Sequence, residues 1–432
     1  MVLRRSALVV AVMAWNGVLR EEAMQRILRL GFRWRLWLAL RCQGYRRVPS
    51  AHRRWLRAQE RQWQGWIRQH YGGAPWRVER LRGAEVQPFV DLLNRPSGGE
   101  AYCGGVLFND PQSEPVLHHF RGDQAIDRPL SHWVDPDRAV SIHPGRLFWC
   151  GPLALHFGHQ IADFGSRVLM ASVDPRDGEL LWLPWRAATS WNDLLPWQRS
   201  LLTYLNPGGK RHCIASDPLR ARELVVVPQQ ARMRSAPSLA HLEALGWCER
   251  ALTPRPGGVV YVSRTRFAAC RSAATLLGAF AGEALLEQLL QERGVRVVHP
   301  ETLPLQEQLA IYLGAEALIV AEGSAQHGLE LLGLHSHKPL VVICRREQLS
   351  GMELPLLARF PKVKFVQALQ QQWMAVDGVA WNGLALLDWH LVASAINPLL
   401  TQPLLASECL ALQRAGEDQL RALAAQISLK SA

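Results

Sequence analysis

Short apolar runs alternate with amphipathic helical segments through the second half of the chain. The leucines at 285, 286, 289 and 290 recur at helical spacing and Gly294 follows them as a stop, which predicts a helix from Glu283 to Arg293. Strands separated by such helices form parallel βαβ units, so the pattern predicts a Rossmann-like open sheet. The predicted strands are Val259–Val262, Val295–Val298, Ala317–Val320 and Leu340–Cys344.

The same alternation begins near residue 145 in a less regular form. Residues 86–140 are rich in Gly, Pro, Asp and His and predict irregular structure, whereas Ala406–Ser428 predicts a C-terminal helix that packs across the domains. Strands are predicted at Arg146–Cys150, Leu180–Trp185 and Glu223–Val227, and helices at His156–Ser172 and Trp191–Leu205. The resulting division is an N-terminal helical extension (1–82), two Rossmann-like domains (83–250 and 251–405) and a C-terminal helix (406–432).

Length and charge sharpen this division. The 432 residues are about twice the usual size of one domain, which predicts two folded domains. Residues 1–82 contain 18 arginines, no lysine and four acids, for a net charge of +14, so the rest of the chain sums to −2. Seven of the 17 tryptophans lie in the same segment. The basic character therefore belongs to the N-terminal extension.

The stretch Arg26–Arg41 places arginines beside a stripe of tryptophan and leucine. Such a helix suits an anionic membrane surface, where rings lie at headgroup depth and arginines meet phosphates. A helical pair packed on the body of the protein, with its arginines solvated, explains the pattern equally well. Nucleic acid is a less favoured partner, because no recognised nucleic-acid motif accompanies the charge. The longest apolar run, Ala7–Trp15, is too short for a conventional transmembrane helix.

The eight cysteines are spread singly, with no CxxC pair. This spacing argues against a zinc ribbon or a disulfide scaffold and predicts reduced thiols in a cytoplasmic protein. A metal site is not predicted, because no HExxH pattern occurs. The Asp135-Pro136-Asp137 triplet favours a proline-centred turn.

The loop after the strand Ala317–Val320 is the first candidate site. Its small residues allow backbone N–H groups to approach a ligand, and the following helix points its positive end at the same place, which favours a phosphate. Glu322 would accept hydrogen bonds from sugar hydroxyls. A tight strand–helix turn with Ser324 as a cap and nothing bound is the alternative. The loop comprises Glu322, Gly323, Ser324, Ala325, Gln326 and His327.

Ser263 and Arg264 end the strand Val259–Val262, and Arg271 follows closely. An arginine in this position presents a planar fork to a diphosphate, although an isolated pair is more often a solvated loop. The carboxyl ends of adjacent parallel strands meet at one edge of a sheet, so Arg264 and Ser324 are expected to face one ligand.

His159 and Asp163 are four residues apart, and so lie on one face of the predicted helix. An imidazole supported by a carboxylate, or the carboxylate itself, suits removal of a proton from an acceptor hydroxyl. A satisfied polar histidine near the surface is the alternative.

Together these residues resemble family 61 glycosyltransferases over about residues 145–350. The resemblance rests on Gly158, His159, Asp163 and Arg167 in the first half, then on Ser263-Arg264 and Glu283. It continues through Pro300-Glu301, Glu307-Gln308, Gly323-Ser324-Ala325 and His327. The chain departs from the family pattern at Glu322, where a histidine is common, and between Arg271 and Glu283.

The resemblance implies a GT-B-like α/β architecture, in which two Rossmann-like domains face a cleft. It implies transfer of a sugar from a nucleotide-sugar co-substrate to a saccharide acceptor, by an inverting mechanism without metal or cofactor. His159 or Asp163 would act as base and Gly158 and Arg167 would line the acceptor side. The donor would be bound by Ser263, Arg264, Arg271, Gln308, Glu322, Gly323, Ser324, Ala325 and His327.

The expected setting is surface polysaccharide or lipopolysaccharide synthesis, with residues 1–82 in peripheral contact with the inner membrane face. Two other classes of function stay open at this point. One is a non-catalytic nucleotide- or carbohydrate-binding module on a degenerate transferase scaffold. The other is a nucleic-acid-associated protein recruited through residues 1–82.

Overall fold

The computed structural model gives an α/β protein built on two sheets that contain parallel strands. Among the predicted features, residues 1–48, Arg271 and the Asp135–Asp137 triplet lie outside the described residues. The structure describes residues 49–71, 78–89, 104–107, 117–122, 124–125, 139–184, 188–269, 278–347, 349, 351–376 and 383–431.

The first half is organised around a six-stranded mixed sheet. Its strand order is β2-β1-β8-β5-β6-β7, in which β8, β5, β6 and β7 run parallel and the pairs β1–β2 and β1–β8 are antiparallel. A two-stranded ribbon, β3 and β4, accompanies it. The strands are β1 Glu79–Gln87, β2 Gly105–Val106, β3 Phe120–Arg121, β4 Gln124–Ala125, β5 Ser141–Leu153, β6 Glu179–Pro184, β7 His212–Ile214 and β8 Leu219–Val226.

Both long helices predicted in this half are broken. Pro196 opens a helix, and since the residue before proline avoids the α region, Leu195 is extended and separates a 3₁₀ turn, Trp191–Asp193, from the helix. The segment predicted as His156–Ser172 contains a short α-helix, the π turn Gln160–Phe164 and a second helix. The helices of this half are α1 Ser50–Tyr71, α2 Phe157–His159, α3 Val168–Val173, α4 Pro196–Tyr204 and α5 Leu239–Glu249.

The second half contains a five-stranded sheet that is wholly parallel, as predicted. Its strand order, β10-β9-β11-β12-β13, is a doubly wound order with its topological switch point between β9 and β11. A 3₁₀ helix, Ser324–Leu331, takes the place of the helix predicted after the strand Ala317–Val320. The strands are β9 Gly257–Val262, β10 Arg296–Val298, β11 Ala315–Ala321, β12 Leu340–Cys344 and β13 Val363–Gln367. The helices are α6 Thr265–Ala269, α7 Glu283–Glu292, α8 Leu305–Gly314 and α9 Glu353–Arg359, with a short 3₁₀ turn at Pro300–Thr302.

A small antiparallel sheet and two helices complete the chain. The predicted C-terminal helix ends at Ala424, and the residues after it pair with β14 as a strand. Leu412 of this helix is fully buried in a hydrophobic cluster whose members all belong to the second half, so the helix packs on that half. The elements are β14 Leu369–Ala375, β15 Leu384–Leu387, α10 Trp389–Ile396, the 3₁₀ turn Asn397–Leu399, α11 Ala406–Ala424 and β16 Leu429–Ser431.

One hydrophobic cluster runs through both halves. It contains Trp182 of β6 and Leu245 of α5 together with Leu309 of α8 and Val320 of β11, all of them buried. The hydroxyl of Tyr204 in α4 donates to the carbonyl oxygen of Leu331 at 2.9 Å and ties the two halves together. The expected pair of separate Rossmann-like domains is therefore modified: only the second sheet is wholly parallel, and the halves share a core.

Helix α1 is docked on the body of the protein. Leu56 is buried against Leu239 and Leu242 of α5, and the guanidinium of Arg232 lies 3.6 Å from the centre of the Trp63 ring. The sheet begins soon afterwards, since β1 starts at Glu79 and crosses the predicted boundary at residue 82. For residues 50–71 these contacts favour the packed helix over a helix that inserts its apolar face into a lipid surface.

The opposite face of α1 carries a stripe of exposed arginines. Arg54, Arg57, Arg61 and Arg68 all point to solvent, and their spacing places them on one side of the helix. Among the described residues, no helix combines the length and apolar character needed to span a bilayer. What the docked helix presents outward is thus charge rather than apolar surface.

The Tyr204 hydrogen bond can be tested against a matched tyrosine. We expect Tyr204→Phe to lower the free energy of unfolding by about 1–3 kcal/mol, because the buried carbonyl of Leu331 loses its donor. Tyr312→Phe is the control, since the Tyr312 hydroxyl is buried and makes no hydrogen bond within the described part of the chain. Its removal should be neutral or stabilising. Urea unfolding curves measure both changes, and equal effects would contradict the bridging role.

Candidate active site

The two loops predicted to meet lie side by side at the switch point of the parallel sheet. Val262 of β9 pairs with Val320 of β11, so the residues that follow each strand leave the sheet at neighbouring positions. These residues are Ser263 and Arg264 after β9, and Glu322 and Gly323 after β11. In doubly wound sheets ligands bind in the crevice outside this edge.

Arg264 packs directly on Gly323. A Cβ atom on Gly323 would lie 1.6 Å from Arg264 Nη1, so any other residue at this position would require the guanidinium to move. The side chain is held by its Nε, which donates to the carbonyl oxygen of Gly278 at 3.0 Å, and is only 7% exposed. Burial lowers the pKa of Arg264, and the neighbouring carboxylates of Glu283 and Glu322 oppose that shift. The guanidinium is therefore fixed in orientation at the mouth of the loop.

Two further arginines join this position from the end of β12. Glu322 Oε1 accepts from Arg346 Nε at 2.8 Å, and Glu322 Oε2 accepts from the backbone N–H of Arg345, also at 2.8 Å. Burial lowers the pKa of Arg345 to about 9, and the nearby charges of Arg346 and Arg264 add to the decrease. The Glu322 carboxylate thus serves to hold the Arg345–Arg346 loop. The guanidiniums of Arg264, Arg345 and Arg346 are therefore gathered at one edge of the sheet.

Neither Arg345 nor Arg346 was identified from the sequence, although a signal was present. Both residues directly follow the predicted strand Leu340–Cys344, as Ser263 and Arg264 follow the strand before them. The rule that loops at the carboxyl ends of parallel strands converge applies equally to this third loop.

Glu283 supports the Arg264 loop from below. Its Oε1 accepts from the hydroxyl of Tyr261 at 2.8 Å, from Ser263 Oγ at 3.1 Å and from the backbone N–H of Arg264 at 2.9 Å. Its Oε2 is buried and makes no hydrogen bond within the described residues. Burial raises the pKa of Glu283 to about 7. Ser263, predicted to bind the donor, therefore turns its hydroxyl toward Glu283 and fixes the backbone that carries Arg264.

His159 and Asp163 form a pair in the other half, as predicted. His159 Nδ1 lies 2.7 Å from Asp163 Oδ2, and Arg121 of the β3–β4 ribbon binds the same carboxylate through Nε at 3.2 Å and Nη2 at 2.6 Å. Asp163 is completely buried, which by itself would raise its pKa. Hydrogen bonds and charges from His159 and Arg121 outweigh burial and lower the pKa of Asp163.

This geometry separates the roles of the two residues. Arg121 Nη2 also lies 3.2 Å from His159 Nδ1, but the contact with Asp163 Oδ2 is shorter at 2.7 Å. Because an ionised carboxylate only accepts hydrogen bonds, this shorter contact assigns a proton to Nδ1, and Nε2 of a neutral ring then keeps a lone pair. The His159 side chain is 26% exposed, whereas Asp163 is inaccessible. His159 is consequently the group placed to accept a proton, and Asp163 orients it.

The 3₁₀ helix brings the pair and the arginines together. A Cβ on Gly158 would lie 2.5 Å from His327 Cδ2, so α2 makes close contact with the 3₁₀ helix beside His159. His327 is buried, and its Nδ1 lies 2.6 Å from Glu330 Oε1. Gly323 precedes His327 by four residues, or about 8 Å at the rise of a 3₁₀ helix. The Arg264 loop and the His159–Asp163 pair therefore flank one short element.

The remaining predicted residues divide into two groups. Ser324 and Ala325 are half-buried at the start of the 3₁₀ helix, next to Gly323. Arg167 and Gln308 instead hold backbone. Arg167 donates to the carbonyl oxygens of Val227 and His118, and Gln308 Nε2 donates to those of Pro300 and Leu303. Both side chains are buried, so neither presents its donors to a ligand in this structure.

Comparison with known proteins identifies the same region. The family model described as Glycosyltransferase 61 matches residues 157–331, which confirms the resemblance found in the sequence. The matched segment begins at α2 and ends with the 3₁₀ helix, so it contains both the His159–Asp163 pair and Arg264. No curated protein matches the chain significantly.

The buried carboxyl of Glu283 predicts a pH effect on stability. The pKa of Glu283 is about 7 in the folded protein, and its ordinary value, taken for the unfolded chain, is 4.5. Between pH 4.5 and pH 7 the folded state therefore holds the proton and the unfolded state does not. Stability should fall as the pH rises from 4.5 to 7, by up to about 3 kcal/mol. We expect Glu283→Gln, which keeps the Oε1 acceptor, to remove this part of the slope. Urea unfolding curves measured from pH 4.5 to pH 7 test this prediction. It is contradicted if the free energy of unfolding depends on pH in the same way for the wild-type protein and Glu283→Gln.

Proposed function

Residues 157–331 form a glycosyltransferase family 61 domain, and we propose that the protein transfers a sugar from a nucleotide-sugar donor to a saccharide acceptor. The observation that carries this proposal is the double contact of the 3₁₀ helix. Its start packs against Arg264, and its His327 packs against Gly158, next to His159. A cluster of cations and a proton acceptor thereby lie on either side of one short element. This arrangement suits the displacement of a diphosphate by a hydroxyl.

The donor diphosphate binds at the carboxyl ends of β9, β11 and β12. Arg264, Arg345 and Arg346 supply guanidinium donors in planar forks that match phosphate oxygens. The backbone N–H groups at the start of the 3₁₀ helix add their partial positive charge. These fixed charges neutralise the leaving nucleoside diphosphate, so the proposed reaction proceeds without a bridging metal ion.

His159 acts as the general base. Its Nε2 accepts the proton of the acceptor hydroxyl as the hydroxyl oxygen attacks the anomeric carbon. The bond from that carbon to the diphosphate oxygen breaks, with the electron pair leaving on the diphosphate, and the configuration inverts. Asp163 stabilises the imidazolium that forms and holds the ring in the productive tautomer. Arg121 keeps the Asp163 carboxylate ionised and in place.

In the proposed mechanism the two halves have separate binding roles, as in a GT-B enzyme. In this proposal the wholly parallel sheet carries the donor, and the six-stranded sheet carries the acceptor and the base. Gly158 contributes by allowing the close contact between them, and Arg167 supports the backbone near the base. The shared core of the two sheets makes this a closely joined variant of that architecture.

The proposed acceptor is a lipid-linked saccharide at a membrane surface. The exposed stripe Arg54, Arg57, Arg61 and Arg68 on α1 provides an electrostatic attraction to anionic headgroups without insertion of the helix. Free thiols at the described cysteines, such as Cys150 and Cys248, suit the reducing cytoplasm, where nucleotide sugars are used. Synthesis of surface polysaccharide or lipopolysaccharide is the process that fits this combination.

The cation cluster predicts how donor binding responds to mutation. A panel of nucleoside diphosphates and nucleotide sugars is first screened for a rise in melting temperature with the wild-type protein. We expect Arg264→Ala to weaken binding of the best ligand by about 10- to 150-fold, because each charge-assisted hydrogen bond contributes about 1.5–3 kcal/mol. Arg255→Ala is the control, since Arg255 forms a surface ion pair with Glu307. Calorimetric affinities that are unchanged in Arg264→Ala would refute the assignment.

The proposed base predicts a different signature in turnover. His159→Ala should lower kcat by about 10²- to 10⁴-fold while leaving donor affinity unchanged, because the ring acts on the acceptor. Asp163→Asn should also lower kcat, since the amide no longer fixes the tautomer. The exposed His390 on α10 gives the control variant His390→Ala. A wild-type protein that binds donor but neither transfers nor hydrolyses it would identify a non-catalytic binding module instead.

A further inference from the structure

Three side chains with metal-binding chemistry lie together on the six-stranded sheet, away from the candidate active site. His143 is on β5, Glu179 is the first residue of β6 and Cys213 is on β7, so three neighbouring strands contribute one residue each. Glu179 pairs with Leu147 of β5, and Cys213 pairs with Leu181, two residues after Glu179. Because side chains alternate along a strand, this register places Glu179 and Cys213 on one face. His143 precedes a register irregularity in β5, and it joins the other two by the proximity of its ring.

The geometry of the cluster is compact. One ligand atom from each of His143, Glu179 and Cys213 lies within 4.8 Å of the others, and all three side chains are half-buried. Cys213 also contacts the hydrophobic cluster that covers this face of the sheet. A small shift of rotamers would bring all three atoms to the distances of a tetrahedral zinc site, about 2.3 Å for sulfur and about 2.0–2.2 Å for nitrogen and oxygen.

The two contacts made by these side chains are weak enough to give way to a metal. Arg211 Nη2 lies 3.5 Å from Glu179 Oε1, and the Arg211 side chain is 85% exposed, so it gains little from this pair. The backbone N–H of Gly145 is 3.3 Å from His143 Nδ1, which is a long hydrogen bond.

We propose that His143, Glu179 and Cys213 bind a zinc ion, with water in the fourth position. An imidazole nitrogen, a thiolate and a carboxylate oxygen together match the borderline-soft character of zinc. Coordination bonds from the zinc ion would connect β5, β6 and the edge strand β7, and so stabilise the open edge of the sheet. The cluster lies at the amino end of β6, whereas α2 with His159 follows the carboxyl end of β5. The zinc site is therefore separate from the candidate active site.

The test uses the full-length protein, purified without a histidine tag and stripped of metal with a chelator. After incubation with zinc and gel filtration, we expect the wild-type protein to retain one zinc ion per chain and to melt at a higher temperature than the stripped protein. Incubation with cobalt should give a thiolate-to-cobalt absorption band. Wild-type protein that retains no zinc and shows no such band would overturn the proposal.

Variants assign the ligands. Cys213→Ser should abolish the cobalt–thiolate band, and His143→Ala and Glu179→Gln should each abolish zinc retention and the rise in melting temperature. Cys248→Ser and the exposed His337→Ala are the matched controls and should leave both signals unchanged. If Cys213→Ser fails to fold, loss of zinc in Glu179→Gln still supports the site. Zinc retained by both His143→Ala and Glu179→Gln would place the ion elsewhere and refute it.

Discussion

The close packing of the 3₁₀ helix Ser324–Leu331 is the constraint on which the rest of the candidate site depends. Its two neighbours are glycines for steric reasons: a Cβ at Gly323 would overlap the Arg264 guanidinium, and a Cβ at Gly158 would overlap the His327 ring. The first contact lies within the parallel sheet half, and the second joins it to the half that carries His159. Because Gly158 and Gly323 carry no side chain, Arg264 and the His159–Asp163 pair can both lie close to this 3₁₀ helix.

Buried arginines at this edge of the sheet are the groups that would bind the donor diphosphate in the proposed function. Burying a cation is unfavourable unless it is paired, and burial lowers the pKa of both Arg264 and Arg345. The Glu322 side chain accepts hydrogen bonds from Arg345 and Arg346, while burial raises the pKa of Glu283 to about 7. The carboxyl groups of Glu283, Glu322 and Glu301 act on Arg264, and a bound diphosphate would add negative charge beside the three guanidiniums. The unfavourable burial is thus consistent with a binding function.

The sequence predicts elements that depend on local pattern and misses those that depend on distant contacts. The strand Leu340–Cys344 is predicted to the residue, because a strand buried on both faces is a continuous apolar run. Strand β1 is missed because its residues are polar and half-exposed, and only pairing with β8 makes it a strand. Arg121 gives no signal, since its partner Asp163 lies 42 residues away. Loops at strand ends therefore indicate the candidate site, whereas a residue such as Arg121, which is placed by a contact distant in sequence, could not be predicted.

The continuous core limits how the proposed reaction is achieved. Many two-domain enzymes assemble the site by closing a cleft, but here Trp182 and Val320 belong to one buried cluster and Tyr204 bonds across the halves. Large relative motion would disrupt that packing. The catalytic groups must then be held in place before the substrate arrives, and the Asp163 carboxylate, with its partners His159 and Arg121, is fixed in this way. Preorganised electrostatics rather than domain closure is the mechanism that such a frame supports.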